Sequence, residues 1–218
     1  MPLAIFDLDN TLLAGDSDHL WGQFLVDEGL VDGPDFARTN DAFYQDYQQG
    51  TLDIDAFLRF ALHPLRAHPP ALLESLRARF VQERVAPLML PAAQALIDTH
   101  RAAGDTLLII TASNTFITAP TAALFGIPNL IATDPELRDG RFTGAIAGTP
   151  SFRAGKVTRL EAWLAAQGET LAGSSFYSDS HNDLPLLERV DRPVAVDPDP
   201  QLHQVAVERG WLILSLRG

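Results

Sequence analysis

The apolar residues of this 218-residue chain follow two different periods. Residues 3–6 form a short apolar run, which is typical of a buried strand. Residues 13–87 contain no convincing strand and show helical spacing instead, as in Leu20, Trp21 and Phe24. The predicted helices begin near Ser17, Pro34, Thr51 and Ala71, and the prolines of 63–70 are expected to break the pattern before the last of them.

From about residue 88, helical segments alternate with short apolar runs. Pro91 at a first helical position and Gly104 just beyond the last turn delimit a helix at 91–103. Asp139-Gly140 is a turn signal between two short runs and predicts a small hairpin. The remaining elements are predicted as strands at 106–110, 130–133, 174–178, 193–196 and 211–214, and as helices at 115–125, 155–168 and 201–209.

This alternation predicts an α/β fold, a doubly wound and mostly parallel sheet with helices on both faces. The helical block separates the first strand from the others. We therefore expect an α/β catalytic core at 1–12 and 88–218, and an all-helical cap domain at 13–87 inserted after the first strand. Such an insertion would lie over the carboxyl ends of the strands.

Composition and charge narrow the classes of partner. The chain is 46% hydrophobic and 20% charged, which is ordinary for a globular protein, and its net charge of −12 argues against nucleic acid or an anionic membrane as a partner. There is no cysteine, so disulfides and thiol chemistry are excluded. No signal peptide is recognisable, and no segment has the roughly 18 apolar residues that span a bilayer. We expect a cytoplasmic protein; the sequence does not indicate its oligomeric state.

Two carboxylates follow the first predicted strand, Asp7 directly and Asp9 two residues later. Ligands of open parallel sheets bind at the carboxyl ends of the strands. Carboxylates that close repel each other unless a cation or a shared proton offsets their charge, and Mg²⁺ with oxygen ligands is the usual cation. An ordinary polar turn, with Asp9 or Thr11 capping a helix, is the alternative for this motif alone.

Three later segments supply partners for the same edge of the sheet. Thr111 ends a predicted strand, with the small residues Ala112 and Ser113 behind it, and Lys156 lies at the start of a helix, where the dipole favours an anion. Asp179 and Asp183 follow another strand, with Asn182 beside them. Each signal alone also fits a cap, a turn or a solvated surface residue. Together with Asp7 and Asp9 they indicate one site.

These four motifs, in this order, resemble those of the haloacid dehalogenase superfamily. Asp7-Leu-Asp9-Asn-Thr11 resembles its D-x-D-x-T signature, and Thr111, Lys156 and Asp179-x-x-Asn-Asp183 are similar to its second, third and fourth motifs. The helical insertion after the first motif looks like the cap of subfamily IB, the phosphoserine-phosphatase-like branch. The motifs span nearly the whole chain.

The resemblance implies a Mg²⁺-dependent phosphatase acting on a small phosphomonoester. Asp7 would be the nucleophile and form an aspartyl-phosphate, and Asp9 would serve as general acid and then base. Asp7, Asp179 and the main-chain carbonyl of Asp9 would hold Mg²⁺. Thr111 and Lys156 would bind the phosphate.

Residues outside this set have weaker implied roles. Asp183 and Asn182 would support the site from behind, with Asp183 holding Lys156 or a metal-bound water. Thr11 would fix the loop, and His181 is expected at the surface.

The substrate is less well defined by the sequence. Related phosphoserine phosphatases carry a glutamate near the position of Asp16 to bind the substrate ammonium, and Asp16 would either do this or cap a helix. Arg38, Arg59 and Arg66 are available for a substrate carboxylate. Phosphoserine, histidinol phosphate and similar amino-alcohol phosphates are the candidates.

Two other readings of the motifs stay open. A phosphomutase or phosphotransferase would use the same aspartyl-phosphate. A non-catalytic phosphoacceptor signalling domain is more remote, because such domains carry the acceptor aspartate on a later strand, where this chain has Thr111.

Overall fold

A computed structural model describes residues 1–217 of the chain. Its helices are α1 (Ser17–Asp27), α2 (Gly33–Gln49), α3 (Ile54–Ala61), α4 (His63–Ala67), α5 (Pro70–Phe80), α6 (Pro91–Ala103), α7 (Thr115–Leu124), α8 (Ala154–Gln167), α9 (Leu184–Leu187) and α10 (Pro200–Arg209). Its strands are β1 (Leu3–Phe6), β2 (Thr106–Asn114), β3 (Asn129–Thr133), β4 (Pro135–Arg138), β5 (Arg141–Ile146), β6 (Ser175–Ser178), β7 (Arg192–Val196) and β8 (Leu212–Leu214).

Six strands form one parallel sheet in the order β3-β2-β1-β6-β7-β8. The predicted α/β fold with a doubly wound sheet is therefore confirmed. The chain order reverses at β1, which lies between β2 and β6. Because the strands are parallel, the carboxyl ends of β1, β2 and β6 lie side by side, and this is where such sheets bind ligands.

Alternating residues of β1 face opposite layers of helices, as the two-residue period of a strand requires. Leu3 and Ile5 belong to an apolar cluster that includes Leu160 and Leu202, from α8 and α10. Ala4 and Phe6 belong to the other cluster. Each face of the sheet is thus covered, and the fully buried strand reads as a continuous apolar run.

Five helices, α1 to α5, lie between β1 and α6. The apolar cluster on the Phe6 face continues into them, through residues such as Trp21, Leu65 and Phe80. In contrast, α2 buries only Asn40 fully, and aromatic side chains of α2 and α3 form a small cluster of their own: Phe36, Phe43, Phe57 and Phe60. The division into a core at 1–12 and 88–218 and a cap at 13–87 stays a prediction.

Several boundaries differ from those predicted. The segment at 63–70 does not simply break the helical pattern, because Pro64 and Pro70 occupy first-turn positions of α4 and α5, where a missing N–H costs little. The last helix of this block ends at Phe80, and a π-helical turn follows at Val81–Val85. Strand β2 continues beyond Thr111 to Asn114 with an irregular register against β3.

The hairpin predicted around Asp139-Gly140 is confirmed as β4 and β5. Asp139 and Gly140 both have positive φ, 53° and 74°, as the tight turn requires. Among the described residues, no helix is long and apolar enough to cross a membrane.

Candidate active site

The predicted site residues Asp7, Thr111 and Asp179 lie at or near the carboxyl ends of three adjacent strands. Asp7 follows β1 and its main-chain N–H donates to the carbonyl of Tyr177 in β6, at 2.9 Å. Thr111 lies within β2, and Asp179 follows β6. The parallel pairing of β1 with both neighbours thus brings together residues that are more than a hundred positions apart in sequence.

Lys156 forms ion pairs with both Asp7 and Asp183 below the pocket. Its Nζ lies 2.8 Å from Asp7 Oδ1 and 2.7 Å from Asp183 Oδ1, and all three side chains are buried. Asp183 also accepts a hydrogen bond from Ser178 Oγ at 2.7 Å. Burial alone would lower the pKa of Lys156, but the carboxylates of Asp183 and Asp7 outweigh it and raise that pKa, so the amine stays charged.

Asp9 is held by two donors that the sequence analysis did not identify. Ser113 Oγ donates to Asp9 Oδ2 at 2.6 Å, and the main-chain N–H of Ser17 donates to Oδ1 at 2.7 Å. Burial and the nearby charge of Asp16 raise the pKa of Asp9 to about 6, while these two hydrogen bonds oppose the rise. A carboxyl group with a pKa near the working pH suits proton transfer in both directions.

Thr11 lies between the two carboxylates predicted to bind the metal. Its Oγ1 is 3.0 Å from Asp179 Oδ1 and 3.4 Å from Asp7 Oδ2, and it accepts the main-chain N–H of Asp179 at 3.0 Å. Burial raises the pKa of Asp7 to about 7, and burial with the charge of Asp7 raises that of Asp179. A buried and a half-buried carboxylate that lie close enough to repel each other are a donor set that fits a hard divalent cation.

Among the described residues, no three side chains of His, Cys, Asp or Glu converge as metal ligands. The predicted donor set does not require three, because its third oxygen is the main-chain carbonyl of Asp9.

The structure also gives contacts for three other predicted residues, Thr111, Asp16 and Asn182. Thr111 Oγ1 accepts the main-chain N–H of Ser113 at 3.2 Å, in a buried position at the edge of the pocket. Asp16 caps α1 by accepting the main-chain N–H of His19 at 2.8 Å, and it also lines the pocket, so both roles considered for it are compatible. Asn182 is buried, and its amide contacts helix α2.

A pocket opens above Asp7 and Asp9, and its walls come largely from α1, α2 and α3. The acidic side chains Asp16 and Asp18 lie on one side, and the ring of His19 stacks on that of Tyr44 with centroids 4.5 Å apart. None of the described side chains lining this pocket is an arginine or a lysine. The wall also includes residues that are not among the predicted site residues: Asp18, His19, Asn40, Phe43, Tyr44, Tyr47, Leu52, Ile54 and Phe57.

The prediction that His181 lies at the surface is wrong. Its side chain is 10% exposed, and its Nδ1 lies 2.7 Å from Asp199, which also accepts the main-chain N–H of His181. The other side of the ring lies against Gly50 at the end of α2. The docking of a distant helix buries this ring, and local sequence carries no signal for that.

These features define a hydrolase of the haloacid dehalogenase class, and comparison with known proteins agrees. The family model for haloacid dehalogenase-like hydrolases matches residues 4–188, and the chain belongs to this family. It is a phosphomonoester hydrolase, since its curated relatives in the family include several named as phosphatases.

One such relative is a histidinol-phosphatase of Neisseria meningitidis, 49% identical over 99% of both chains. A phosphoserine phosphatase of Mycobacterium tuberculosis is 31% identical over 98% of this chain and 70% of its own length. A solved structure from Bordetella pertussis, of a protein of unknown function, superposes with a TM-score of 0.93 at 46% identity, over 99% of this chain and 98% of that one. A phosphoserine phosphatase solved as a phospho-aspartyl intermediate analogue shares the fold, with a TM-score of 0.70 at 18% identity and coverage of 99% and 93%.

Proposed function

We propose that this phosphatase depends on Mg²⁺ and hydrolyses a small amino-alcohol phosphate, histidinol phosphate in the first instance, through an aspartyl-phosphate on Asp7. The observation that carries the proposal is the arrangement of Asp7 and Asp9 at the floor of one pocket, with Lys156 bound to Asp7 from behind. This arrangement supplies a nucleophile, an acid–base group and a fixed positive charge.

The reaction would proceed in two displacements. The Asp7 carboxylate attacks phosphorus, the bond between phosphorus and the ester oxygen breaks, and the departing oxygen takes the proton of Asp9. Asp9 then accepts a proton from a water molecule whose oxygen attacks the phosphorus. This step releases inorganic phosphate and restores the Asp7 carboxylate.

The remaining residues would stabilise charge. Lys156 offsets charge on the phosphoryl oxygens, Thr111 donates a hydrogen bond to one of them, and Asp183 keeps the ammonium of Lys156 in position. Asp7, Asp179 and the Asp9 carbonyl would hold Mg²⁺. The bound ion would reduce the repulsion between the Asp7 carboxylate and the anionic phosphate.

The pocket walls favour a cationic substrate without a carboxylate. Asp16 and Asp18 would attract an ammonium group, and the His19–Tyr44 stack offers a flat surface to a ring. Of the arginines considered for a substrate carboxylate, Arg38 pairs with Asp35 on the exposed surface, and Arg59 and Arg66 are exposed outside the pocket. A phosphoserine carboxylate would meet acidic groups without a compensating cation.

The test is turnover of histidinol phosphate, phosphoserine, phosphoethanolamine and p-nitrophenyl phosphate, each with Mg²⁺ and with EDTA. We expect histidinol phosphate to have the highest kcat/KM, no turnover in EDTA, and none for Asp7→Asn. Preferred turnover of phosphoserine would overturn the substrate assignment. Turnover that survives Asp7→Asn would overturn the nucleophile. A phosphorylated Asp7 that never releases phosphate to water would favour a phosphotransferase or a phosphoacceptor domain.

Two wall variants test recognition of the amine. Asp16→Asn and Asp18→Asn should each raise KM for histidinol phosphate about tenfold. Burial raises the pKa of both carboxyls, a substrate ammonium beside them favours their ionised forms, and each variant removes one such anionic partner. The KM for p-nitrophenyl phosphate, which has no amine, should change little. Asp35→Asn, on the exposed surface of α2, is the matched control and should leave both values unchanged.

A further inference from the structure

The last turn of α2 is bound to two side chains from the loops that carry the catalytic groups. Arg153 Nη2 donates to the carbonyl of Gly50 at 2.6 Å, and its Nε donates to Asn182 Oδ1 at 2.9 Å. The amide of Asn182 in turn donates to the carbonyl of Tyr47 at 3.1 Å. We call these three hydrogen bonds the Arg153–Asn182 clasp.

The end of α2 is suited to this contact. The carbonyls of Tyr47 and Gly50 lie at the C-terminus of the helix, where the dipole favours a cation such as a guanidinium. The carbonyl of Tyr47 also accepts the main-chain N–H of Gly50 at 3.1 Å. Gly50 has φ of 72°, and a Cβ at this position would lie 2.5 Å from His181 Nε2. A glycine therefore permits both the helix end and its close approach to the 181–183 segment.

The clasp matters because α2 contributes no residue to either large apolar cluster and is held chiefly against α1, through Asn40 and the stacking of Tyr44 on His19. Asn40 is its only fully buried residue, and the aromatic side chains of α2 and α3 pack mainly on one another. Helices α1 and α5, in contrast, contribute Trp21 and Phe80 to the large apolar cluster that reaches the sheet. At the C-terminus of α2, the contacts with the strand-end loops are the hydrogen bonds of the clasp and the ring of Tyr47, whose centroid lies 6.2 Å from that of Phe152.

Arg153 also has an unusual main chain. Its φ is 50° and its ψ is −122°, a region that residues other than glycine rarely occupy. Such a conformation persists only where surrounding contacts hold it. Here the guanidinium contacts the ring of Phe152, with 4.9 Å from Cζ to the ring centroid, in addition to its two acceptors.

Both side chains of the clasp are close in sequence to residues of the proposed catalytic site. Arg153 precedes α8, which carries Lys156 in its first turn, and Asn182 is adjacent to Asp183. Tyr47 lines the pocket. A movement of the α2 end would therefore change the pocket wall and the segments that hold Lys156 at the same time.

We propose that Arg153 is a positioning residue that, through Gly50 and Asn182, fastens α2 over the site and so fixes the wall against which the substrate is held. The kinetic part of this proposal rests on the proposed function. Its structural part does not, because the clasp exists without substrate.

The first test is amide hydrogen exchange of the peptide containing residues 44–52, measured on the metal-free protein by mass spectrometry. Arg153→Ala should speed exchange in this peptide about tenfold, since two hydrogen bonds to a charged donor are lost. Arg77→Ala is the matched control: Arg77 also contacts a phenylalanine ring and donates to a main-chain carbonyl, both of Phe116, but this contact joins α5 to α7 and does not involve α2. That variant should leave the peptide unchanged.

Two further variants separate the effect of the Arg153 side chain from that of its strained main chain. Arg153→Gly removes the clasp and relieves the strained main chain, so it should fold at least as well as Arg153→Ala and show the same fast exchange. Wild-type exchange in Arg153→Gly would show that the backbone, not the clasp, is responsible. Arg153→Lys should restore only part of the protection, because an ammonium lacks the fork that reaches both acceptors.

The second test is kinetic. For Arg153→Ala, kcat/KM should fall about tenfold for histidinol phosphate but less than about threefold for acetyl phosphate, which is too short to use the α2 wall. Unchanged exchange would overturn the clasp itself. Fast exchange with unchanged kinetics, or an equal loss for both substrates, would overturn the positioning role. If the wild type hydrolyses neither histidinol phosphate nor acetyl phosphate, the proposed function fails, and the exchange experiment still decides whether the clasp exists.

Discussion

Replacing Lys156 by methionine would leave the carboxylates of Asp7 and Asp183 buried without their cation. The ammonium lies within 2.8 Å of both, and its side chain is 2% exposed. Removing one partner of such a buried ion pair typically costs about 3–5 kcal/mol of unfolding free energy. Since 1 kcal/mol corresponds to about 2–4 °C of Tm for a chain of this size, we expect Tm to fall by roughly 6–20 °C.

The loss should depend on pH in a defined direction. Burial already raises the pKa of Asp7 to about 7, and Lys156 opposes that rise, so the methionine variant has a still higher value. A carboxyl whose pKa is higher in the folded than in the unfolded protein binds more protons when folded, and its contribution to stability is lost as pH rises between the two values. Lys156→Met should therefore lose least near pH 5 and most near pH 8.

Urea unfolding at both pH values, without metal, measures this. Arg159→Met is the matched control: it lies on the same helix and removes the more exposed pair with Asp134, which should cost no more than about 1 kcal/mol. A loss below about 1 kcal/mol for Lys156→Met, or one that does not vary with pH, would refute the electrostatic account of this cluster.

Added Mg²⁺ should raise Tm more near pH 8 than near pH 5, because a protonated Asp7 or Asp179 is a poor metal ligand; equal gains in thermal melts would contradict the metal site. Ser113→Ala should move the alkaline limb of kcat/KM for histidinol phosphate to higher pH, because the serine hydrogen bond lowers the pKa of Asp9; an unmoved limb would show that this contact is absent during catalysis. Gly22→Ala should cost about 1–3 kcal/mol in urea unfolding, because its Cβ would lie 2.6 Å from Asn40, and a neutral effect would mean that Asn40 relocates freely.

The sequence predicted that Asp7, Thr111 and Asp179 meet at one edge of the sheet, because their positions are fixed by neighbouring parallel strands. Asp7 and Asp179 each follow a short apolar run, and a parallel sheet brings such ends together whatever lies between them in the chain. Lys156 is the only lysine in the 218-residue sequence, and the structure buries its ammonium between Asp7 and Asp183.

The residues of the pocket wall and of the Arg153–Asn182 clasp could not be predicted from the positions of strand ends. The contact of Ser113 with Asp9 joins residues 104 positions apart, and that of Arg153 with Gly50 joins residues 103 apart. Both depend on side-chain direction and on how the inserted helices dock, and amphipathic periodicity does not encode either. For the same reason, His181 reads as a surface residue in the sequence.

The position of β1 at the centre of the sheet also bears on how the protein is made. The strand is translated well before either neighbour: Leu3 is paired with Thr106 of β2 and donates to Ser174 Oγ, 171 positions later in the chain. On the ribosome, one edge of this short apolar segment must therefore remain unpaired until β2 has been made and the other until β6 has been made, which exposes it to aggregation and to chaperones. Long sequence separation between contacts also slows folding. Since Asp7 directly follows this strand, the nucleophile reaches its place only when the sheet closes, and a nascent chain cannot acquire phosphatase activity before then.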